Sequence, residues 1–507
     1  MSCGVLAVFL CVSGLSRTPW LDEVATLRVV SATTWRAWAG AVLQEPSPPA
    51  FQALLTLWGM VSHHLAWLRL LPVLAIAGMV VIGARWGARV SRRAAWTVGL
   101  LLALSPFLLR YALELRGYAL LALASTAVWS SAWDVATASD GAARRRSQWT
   151  LTLALGVACA THFTAVLLLP AAAALIVVAR PLGSSRRVPV AQMIGIATMW
   201  AGELVVFRSA VGLVRGDWWM PALDASLAGR TLAEVAGLST SGHGPGVWAI
   251  IVGVGLAGLM GAVVAWSPRS RVWLAPCAAA VVYVGGLAVV SWVWQPVWWP
   301  RTLVPAWTAL VCGLAVASAS IEPARQRRVS VAALGCVLLG WGATWASARP
   351  SEGLEPWARV AMVLAADPAP RAVLAYPDFV AWPLVQGLDG AHRVDVSGLR
   401  ADGRGTDEVL AAVAQREGRT YLVLRVDPGV QGRREGLARL LDGLVASIGV
   451  DGRLTVLLVM SQDVSLMPQL TRWQRDVTAL LVPRFGDGVM TQAGEHLSVV
   501  RFERRAR

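Results

Sequence analysis

The chain has 507 residues, of which 56% are hydrophobic and only 15% charged, whereas an ordinary soluble domain carries about 25% charged residues. That balance excludes a wholly water-soluble protein and calls for lipid as solvent. The net charge of +15 comes from arginine alone, with no lysine. In the first two-thirds the arginines gather in short clusters between apolar runs, which marks membrane loops and argues against a nucleic-acid surface.

Of the 30 acidic residues, 11 precede position 349 and 19 follow it. Residues 1–348 therefore read as a membrane module and 349–507 as a soluble domain. A spanning helix needs about 20 apolar residues, and apolar runs lie near 2–16, 66–84, 95–112, 117–136, 149–161, 163–179, 190–209, 246–266, 272–293, 302–320 and 329–347. The expectation is a polytopic α-helical membrane protein with about 11 transmembrane helices. Met1–Gly14 lacks a basic leader region and reads as a retained helix, with a cleaved signal as the lesser alternative.

If the N-terminus is cytoplasmic, the clusters Arg85/Arg89/Arg92/Arg93, Arg144–Arg146, Arg186/Arg187, Arg269/Arg271 and Arg325/Arg327/Arg328 all fall on the cytoplasmic side. The opposite loops are 17–65, 113–116, the turn at His162, 210–245 and 294–301. An odd number of spans then exports the C-terminal domain, giving a multi-pass protein of the plasma membrane. Pro48–Val61 is apolar but short, and reads as an interfacial helix in the first outer loop. Nine tryptophans, Trp58, Trp67, Trp298 and Trp299 among them, stand where an aromatic belt forms. All six cysteines lie in or beside apolar runs, so neither a disulfide framework nor a thiolate metal site is implied.

In the last third, β-prone runs (Ala372–Tyr376, Tyr421–Val426, Leu454–Val459, Leu497–Phe502) alternate with helix-period stretches near 354–366, 406–416, 433–447 and 467–481. The pattern predicts a small extracytoplasmic α/β domain. It holds no phosphate-binding glycine loop, no H-E-x-x-H and no G-x-S-x-G.

The residues that could carry chemistry arrive at one face from distant segments. Asp22 and Glu23 follow the first helix; they suit a helix start, or a carboxylate base beside an acceptor hydroxyl. Glu114 and Arg116 sit in an outer loop of a few residues, where charge is paired or employed, and a guanidinium there matches a lipid phosphate. His162 and Arg301 reach the same level, with interfacial packing and snorkelling as their ordinary roles. Glu203 lies inside the seventh span and is an intramembrane ionisable group. Acids together with phosphate-binding bases at one boundary point to group transfer, and no nucleotide donor is needed there.

At these residues the chain resembles the type C glycosyltransferases, in the protein O-mannosyltransferase and aminoarabinose-transferase-like branch. The motifs are Asp22-Glu23, Pro48-Pro49-Ala50-Phe51-Gln52, Ser105-Pro106-Phe107 through Tyr111, Glu114, Arg116 and Tyr118, then Thr161-His162, and Arg301-Thr302-Leu303 with Pro305. They follow in the family's order over about residues 1–347. Three departures, Gly117 for proline, Phe51-Gln52 for a tyrosine pair and Thr302 for tyrosine, bear on acceptor contacts and donor identity more than on reaction type.

The resemblance implies inverting transfer of a mannose- or arabinose-type sugar from a polyprenyl-phosphate donor to a hydroxyl on an extracytoplasmic glycan, lipid or protein. Asp22 is then the general base with Glu23 beside it. Arg116, Arg301, Tyr118 and His162 surround the donor phosphate, and Glu114 is a candidate metal ligand. No cofactor is identified; a divalent metal ion stays an open option. A transporter or lipid flippase, and a non-catalytic membrane scaffold, are the competing readings.

Overall fold

The computed structural model describes residues 2–17, 19–43, 45, 47–180, 189–211, 220–238, 247–267, 271–322 and 324–347, with segments 371–376, 392–395, 420–425, 438–439, 441–443, 453–461, 478–492 and 497–505 of the last third. The chain forms two compact units. One comprises Met1–Ser16 and Thr26–Ser351, the other Arg17–Ala25 and Glu352–Arg507.

The first unit is a helical bundle. Helix α1 (Ser2–Cys11) runs into a 3₁₀ turn, Val12–Gly14. The hydrophilic stretch after it holds three short helices, α2 (Leu21–Val30), whose residues up to Ala25 belong to the second unit, α3 (Trp35–Leu43) and α4 (Ala50–Gly59), of which the sequence pattern marks only the last. Trp58 and Trp67 stack at 4.5 Å, and each indole N–H donates to the other residue's carbonyl, fixing α4 to α5 (Leu65–Ala88). These two side chains thus have a structural bond as well as the amphipathic character of belt residues.

Local chemistry starts and stops the long helices. Ser91 accepts the Ala94 N–H at the start of α6 (Arg92–Leu104), and Asp140 accepts the Ala143 N–H at the start of α9 (Gly141–Cys159). The run read as one span over 95–112 is broken: α7 (Pro106–Ala112) leaves α6 at 61°. Pro106 cannot donate to the preceding turn and keeps Ser105 out of the α region. Helix α8 (Tyr118–Thr137) precedes α9, and a second 3₁₀ turn, Phe163–Leu167, leads to α10 (Leu168–Ala179). Then come α11 (Val190–Val211), the short α12 (Ala225–Val235), α13 (Val247–Trp266), α14 (Arg271–Val293), a 3₁₀ turn at Pro300–Leu303, α15 (Val304–Ala319) and α16 (Ala324–Ser347).

Each of the eleven apolar runs falls on a helix. Among the described residues, however, six helical runs are long and apolar enough to cross a membrane, one of them α15 together with the 3₁₀ turn before it, or seven if the bent α6–α7 pair is one span. The difference from eleven lies in short pieces such as Ser2–Gly14 and Phe163–Ala179, and in α9, whose first two turns carry Arg144–Arg146. The chain is a multi-pass membrane protein. Helix α13 is apolar all round and leaves Ile250, Val254 and Val264 exposed, as lipid contact demands. Helices α8 and α15 lie at the centre, where the buried Trp129 indole donates to Pro305 O and Thr308 Oγ1.

Arg89 at the end of α5 donates to Asp134 at the end of α8 (2.7 Å), so the N-termini of both helices lie together at the other end of the bundle. Arg186, Arg187 and Arg269 lie outside the described residues.

The second unit contains a six-stranded sheet of β1 (Arg371–Tyr376), β2 (His392–Asp395), β3 (Thr420–Arg425), β4 (Arg453–Ser461), β5 (Val489–Gln492) and β6 (Leu497–Arg505). The order is β2-β3-β1-β4-β6-β5, with β2, β3, β1 and β4 parallel and β6 antiparallel to its two neighbours. The four apolar runs coincide with β1, β3, β4 and β6; β2 and β5 are too short to show a period. The helical stretches expected near 354–366 and 406–416 lie outside the described residues, and those near 433–447 and 467–481 are described only in part. Arg484 grips Asp442 through two bonds of 2.7 and 2.9 Å.

Candidate active site

The break between α7 and α8 builds the first half of the site. Leu115 is fully buried in a cluster with Leu27, Val30, Phe51, Leu55 and Leu68. That anchor fixes the turn from Leu113 to Gly117. Arg116, itself buried, donates from Nη1 to Glu45 Oε2 (2.6 Å) and to Thr26 Oγ1 (3.3 Å). Glu114 is buried too, with Oε1 3.3 Å from Arg110 Nε. Arg110 also holds Glu234 Oε1 at 2.7 Å from its Nη1.

Glu234 is brought there by α12, whose ends are well defined. Asp224 accepts the Leu227 N–H at its start (2.6 Å), and Gly237 closes it at φ 74°, a left-handed position that glycine adopts without strain. The Trp341 indole donates to Ala236 O (2.9 Å) and pins that end.

The second half is the turn between α9 and α10. Ala50 N–H donates to Ala160 O (3.1 Å), docking the start of α4 on this turn. Gly117 lies against the same turn: a Cβ there would meet Thr161 Cγ2 at 2.8 Å and Phe51 Cβ at 3.5 Å. His162 follows Thr161, half-buried. Its Nδ1 lies 2.8 Å from Thr164 Oγ1, which lies 3.2 Å from the Tyr283 hydroxyl of α14. The Tyr283 hydroxyl donates to Thr302 O (3.1 Å), beside Arg301. Desolvation, then the positive charges of Arg301 and Arg116, lower the imidazole pKa from the ordinary 6.5 to about 3.

Arg301 stands in the 3₁₀ turn that opens α15. The Thr302 hydroxyl donates to Trp299 O (2.8 Å) and accepts the Trp299 N–H (3.2 Å), which fixes that turn. The Arg301 guanidinium carbon lies 5.6 Å from the Tyr118 ring centre, and the Tyr118 and His162 rings are 5.9 Å apart. Arg116, Tyr118, His162 and Arg301 thus form one corner of the bundle, with Glu114 beside it through Arg110 and Tyr111.

Asp22 and Glu23 belong to the stretch Arg17–Ala25, in the second unit. Glu23 is buried, accepts the Trp20 N–H (3.1 Å) and lies 3.9 Å from Arg17. That is the reciprocal half of a capping box at the start of α2. Asp22 is half-buried at the preceding position.

The donor set does not suit a divalent cation. Among the described residues no three His, Cys, Asp or Glu side chains are grouped to hold one, and Glu114 faces a guanidinium.

Glu45, Arg110, Glu234, Thr164 and Tyr283 join the site without having been singled out from sequence. Glu203 is half-buried in α11, and one of its carboxylate oxygens is enclosed with no hydrogen-bond partner among the described residues.

No protein-family model and no curated protein matches the chain by sequence. Solved structures match by shape. ArnT from Cupriavidus metallidurans bound to undecaprenyl phosphate aligns with a TM-score of 0.56 at 14% identity, over 99% of this chain and 96% of that one. Apo ArnT aligns at 0.54 and 14% identity, over 98% and 96%. An Archaeoglobus fulgidus oligosaccharyltransferase in complex with zinc and sulfate aligns at 0.44 and 13% identity, over 76% and 61%. The chain therefore has, over nearly its whole length, the fold of the aminoarabinose transferase ArnT, a type C glycosyltransferase of the kind its motifs resemble.

Proposed function

We propose that the chain is a membrane glycosyltransferase that moves a sugar, of mannose or arabinose type, from a polyprenyl-phosphate donor to a hydroxyl outside the cytoplasm. The observation that carries this reading is the convergence of Arg116 and Arg301 on the His162–Tyr118 corner. Two guanidiniums at the helix ends of an apolar bundle suit a phosphate whose lipid tail lies in the bilayer. The neighbour ArnT was crystallised with undecaprenyl phosphate, a ligand of that class. The arginine clusters at the opposite loops support an N-terminus in the cytoplasm and a C-terminal domain outside.

In the proposed reaction the acceptor oxygen attacks the anomeric carbon from the face opposite the phosphate. A carbon–oxygen bond forms as the bond from that carbon to the phosphate oxygen breaks, inverting the configuration. The electron pair leaves on the phosphate, where Arg116 and Arg301 stabilise the growing negative charge. The acceptor proton passes to the Asp22 carboxylate, assigned as general base from the motif in which it stands. Glu23 has the supporting role of ordering the start of α2.

The test is transfer by the purified protein in lipid nanodiscs from radiolabelled polyprenyl-phosphate mannose or arabinose. Asp22→Asn is expected to retain donor binding and lose transfer by about 10²-fold or more. Arg116→Ala and Arg301→Ala are expected to lose donor binding. Undiminished turnover in Asp22→Asn would remove the base assignment, and an inert wild-type protein with every donor would remove the enzyme reading.

A further inference from the structure

We propose that Tyr283 is a positioning residue. Through Thr164 it holds His162 in the tautomer protonated on Nδ1, leaving Nε2 to accept a hydrogen bond from a hydroxyl of the sugar or of the acceptor. The hydroxyl's identity rests on the glycosyl-transfer reading; the tautomer rests on the hydrogen bonds alone.

Proton direction runs along the chain of contacts from its fixed end. Thr302 O can only accept, and the residue three positions on is Pro305, which has no N–H to offer in the turn. The Tyr283 hydroxyl, 3.1 Å away, donates to it and so spends its single proton. Thr164 Oγ1, 3.2 Å from that hydroxyl, must then donate to it. With its own proton committed, Thr164 Oγ1 can only accept from His162 Nδ1 at 2.8 Å.

The Thr164 N–H lies 3.3 Å from Nδ1 and would be satisfied only in the other tautomer, so the relay competes with a longer contact. Tyr283 is fully buried, 119 residues from Thr164. Enclosure and two nearby guanidiniums keep the ring neutral, so Nε2 carries a lone pair. A bare nitrogen cannot donate to phosphate, but it suits a hydroxyl proton.

The geometry makes a specific prediction for Tyr283→Phe, which removes one oxygen and keeps the ring. Thr164 loses the acceptor for its proton and turns it, with its N–H, toward Nδ1; the imidazole proton then moves to Nε2. ¹⁵N-histidine spectra of the full-length protein, with the His162 signals assigned by His162→Gln, should show Nδ1–H in the wild type and Nε2–H in Tyr283→Phe. Thr164→Val, which leaves only the backbone N–H facing Nδ1, should likewise show Nε2–H. A wild type protonated on Nε2, or a Tyr283→Phe spectrum identical to wild type, would overturn the proposal.

In nanodiscs Tyr283→Phe should bind sugar-free polyprenyl phosphate within about twofold of wild type, while transfer falls roughly tenfold, the worth of one hydrogen bond. A loss confined to affinity for the sugar-bearing donor assigns the hydroxyl to the sugar. A rise confined to the acceptor KM assigns it to the acceptor. Equal loss of sugar-free polyprenyl phosphate overturns the hydroxyl role. A wild type that neither binds polyprenyl phosphate nor transfers sugar defeats the glycosyl-transfer reading and the hydroxyl role with it, whereas the spectra still judge the relay.

Discussion

Arg116 Nη1 lies 2.6 Å from Glu45 Oε2, across 71 residues of sequence, with both side chains buried. A buried pair of this kind is stabilising only as a pair, because either charge left alone inside the protein is costly. The proposed lipid phosphate needs the same guanidinium, so Glu45 and the phosphate compete for it.

Glu45→Ala is therefore expected to destabilise the ligand-free protein by about 3–5 kcal/mol. Glu45→Gln, which keeps an acceptor and drops the charge, should destabilise it less and bind polyprenyl phosphate more tightly than wild type. Thermal-shift scans with and without polyprenyl phosphate check both. Weaker phosphate binding in Glu45→Gln would show that the carboxylate assists the ligand instead of opposing it.

Arg301 lies over the Tyr118 ring at 5.6 Å. A guanidinium on an aromatic face gains about 1 kcal/mol, and the same contact orients its fork. Tyr118→Phe should leave polyprenyl-phosphate affinity within about twofold, since the ring remains. Tyr118→Leu should weaken it roughly fivefold. Equal effects of the two substitutions, read by ligand titration, would place the contribution in the phenol oxygen.

Much of the bundle was legible because about 20 apolar residues are a sufficient signal for a spanning helix; α5, α8, α13 and α14 fall where hydropathy put them. The break at Ser105–Pro106 was less legible, since an apolar run shows length but hides a bend. Arg116, Tyr118, His162 and Arg301 could be named from motifs. Glu45 could not, because its meaning lies in a partner 71 residues away, and Tyr283 looked like any apolar-span aromatic until Thr164 and Thr302 stood beside it. Glu23, singled out from sequence for its carboxylate, also accepts the Trp20 N–H at the start of α2, a contact that needs the backbone to be seen.

Gly117 occupies the position where the resemblance expects proline. A Cβ at this point would lie 2.8 Å from Thr161 Cγ2 and 3.3 Å from Thr161 O. Gly117→Ala should destabilise the chain by about 1–3 kcal/mol, as overpacking of a closed site does. Thr161→Ser removes the nearest methyl, so the double variant should recover part of the loss. Additive losses in a double-mutant cycle would show that the clash is with backbone rather than with that methyl.

His162 gives a pH dependence whose sign follows from its surroundings. In the folded chain the imidazole pKa is about 3, lowered by enclosure and by Arg301 and Arg116, whereas an unfolded histidine titrates near 6.5. Above about pH 6.5 both states hold a neutral ring, and His162 contributes nothing to the pH dependence. Between about 6.5 and 3 the unfolded state binds a proton that the folded state refuses, so stability falls as the solution is acidified. His162→Gln removes that proton uptake, and its melting temperature should decline less steeply than that of wild type over the acid range. Parallel melting curves for the two proteins from neutral pH down to about pH 4.5 would mean that His162 titrates normally in the fold, and that the two arginines do not bear on it.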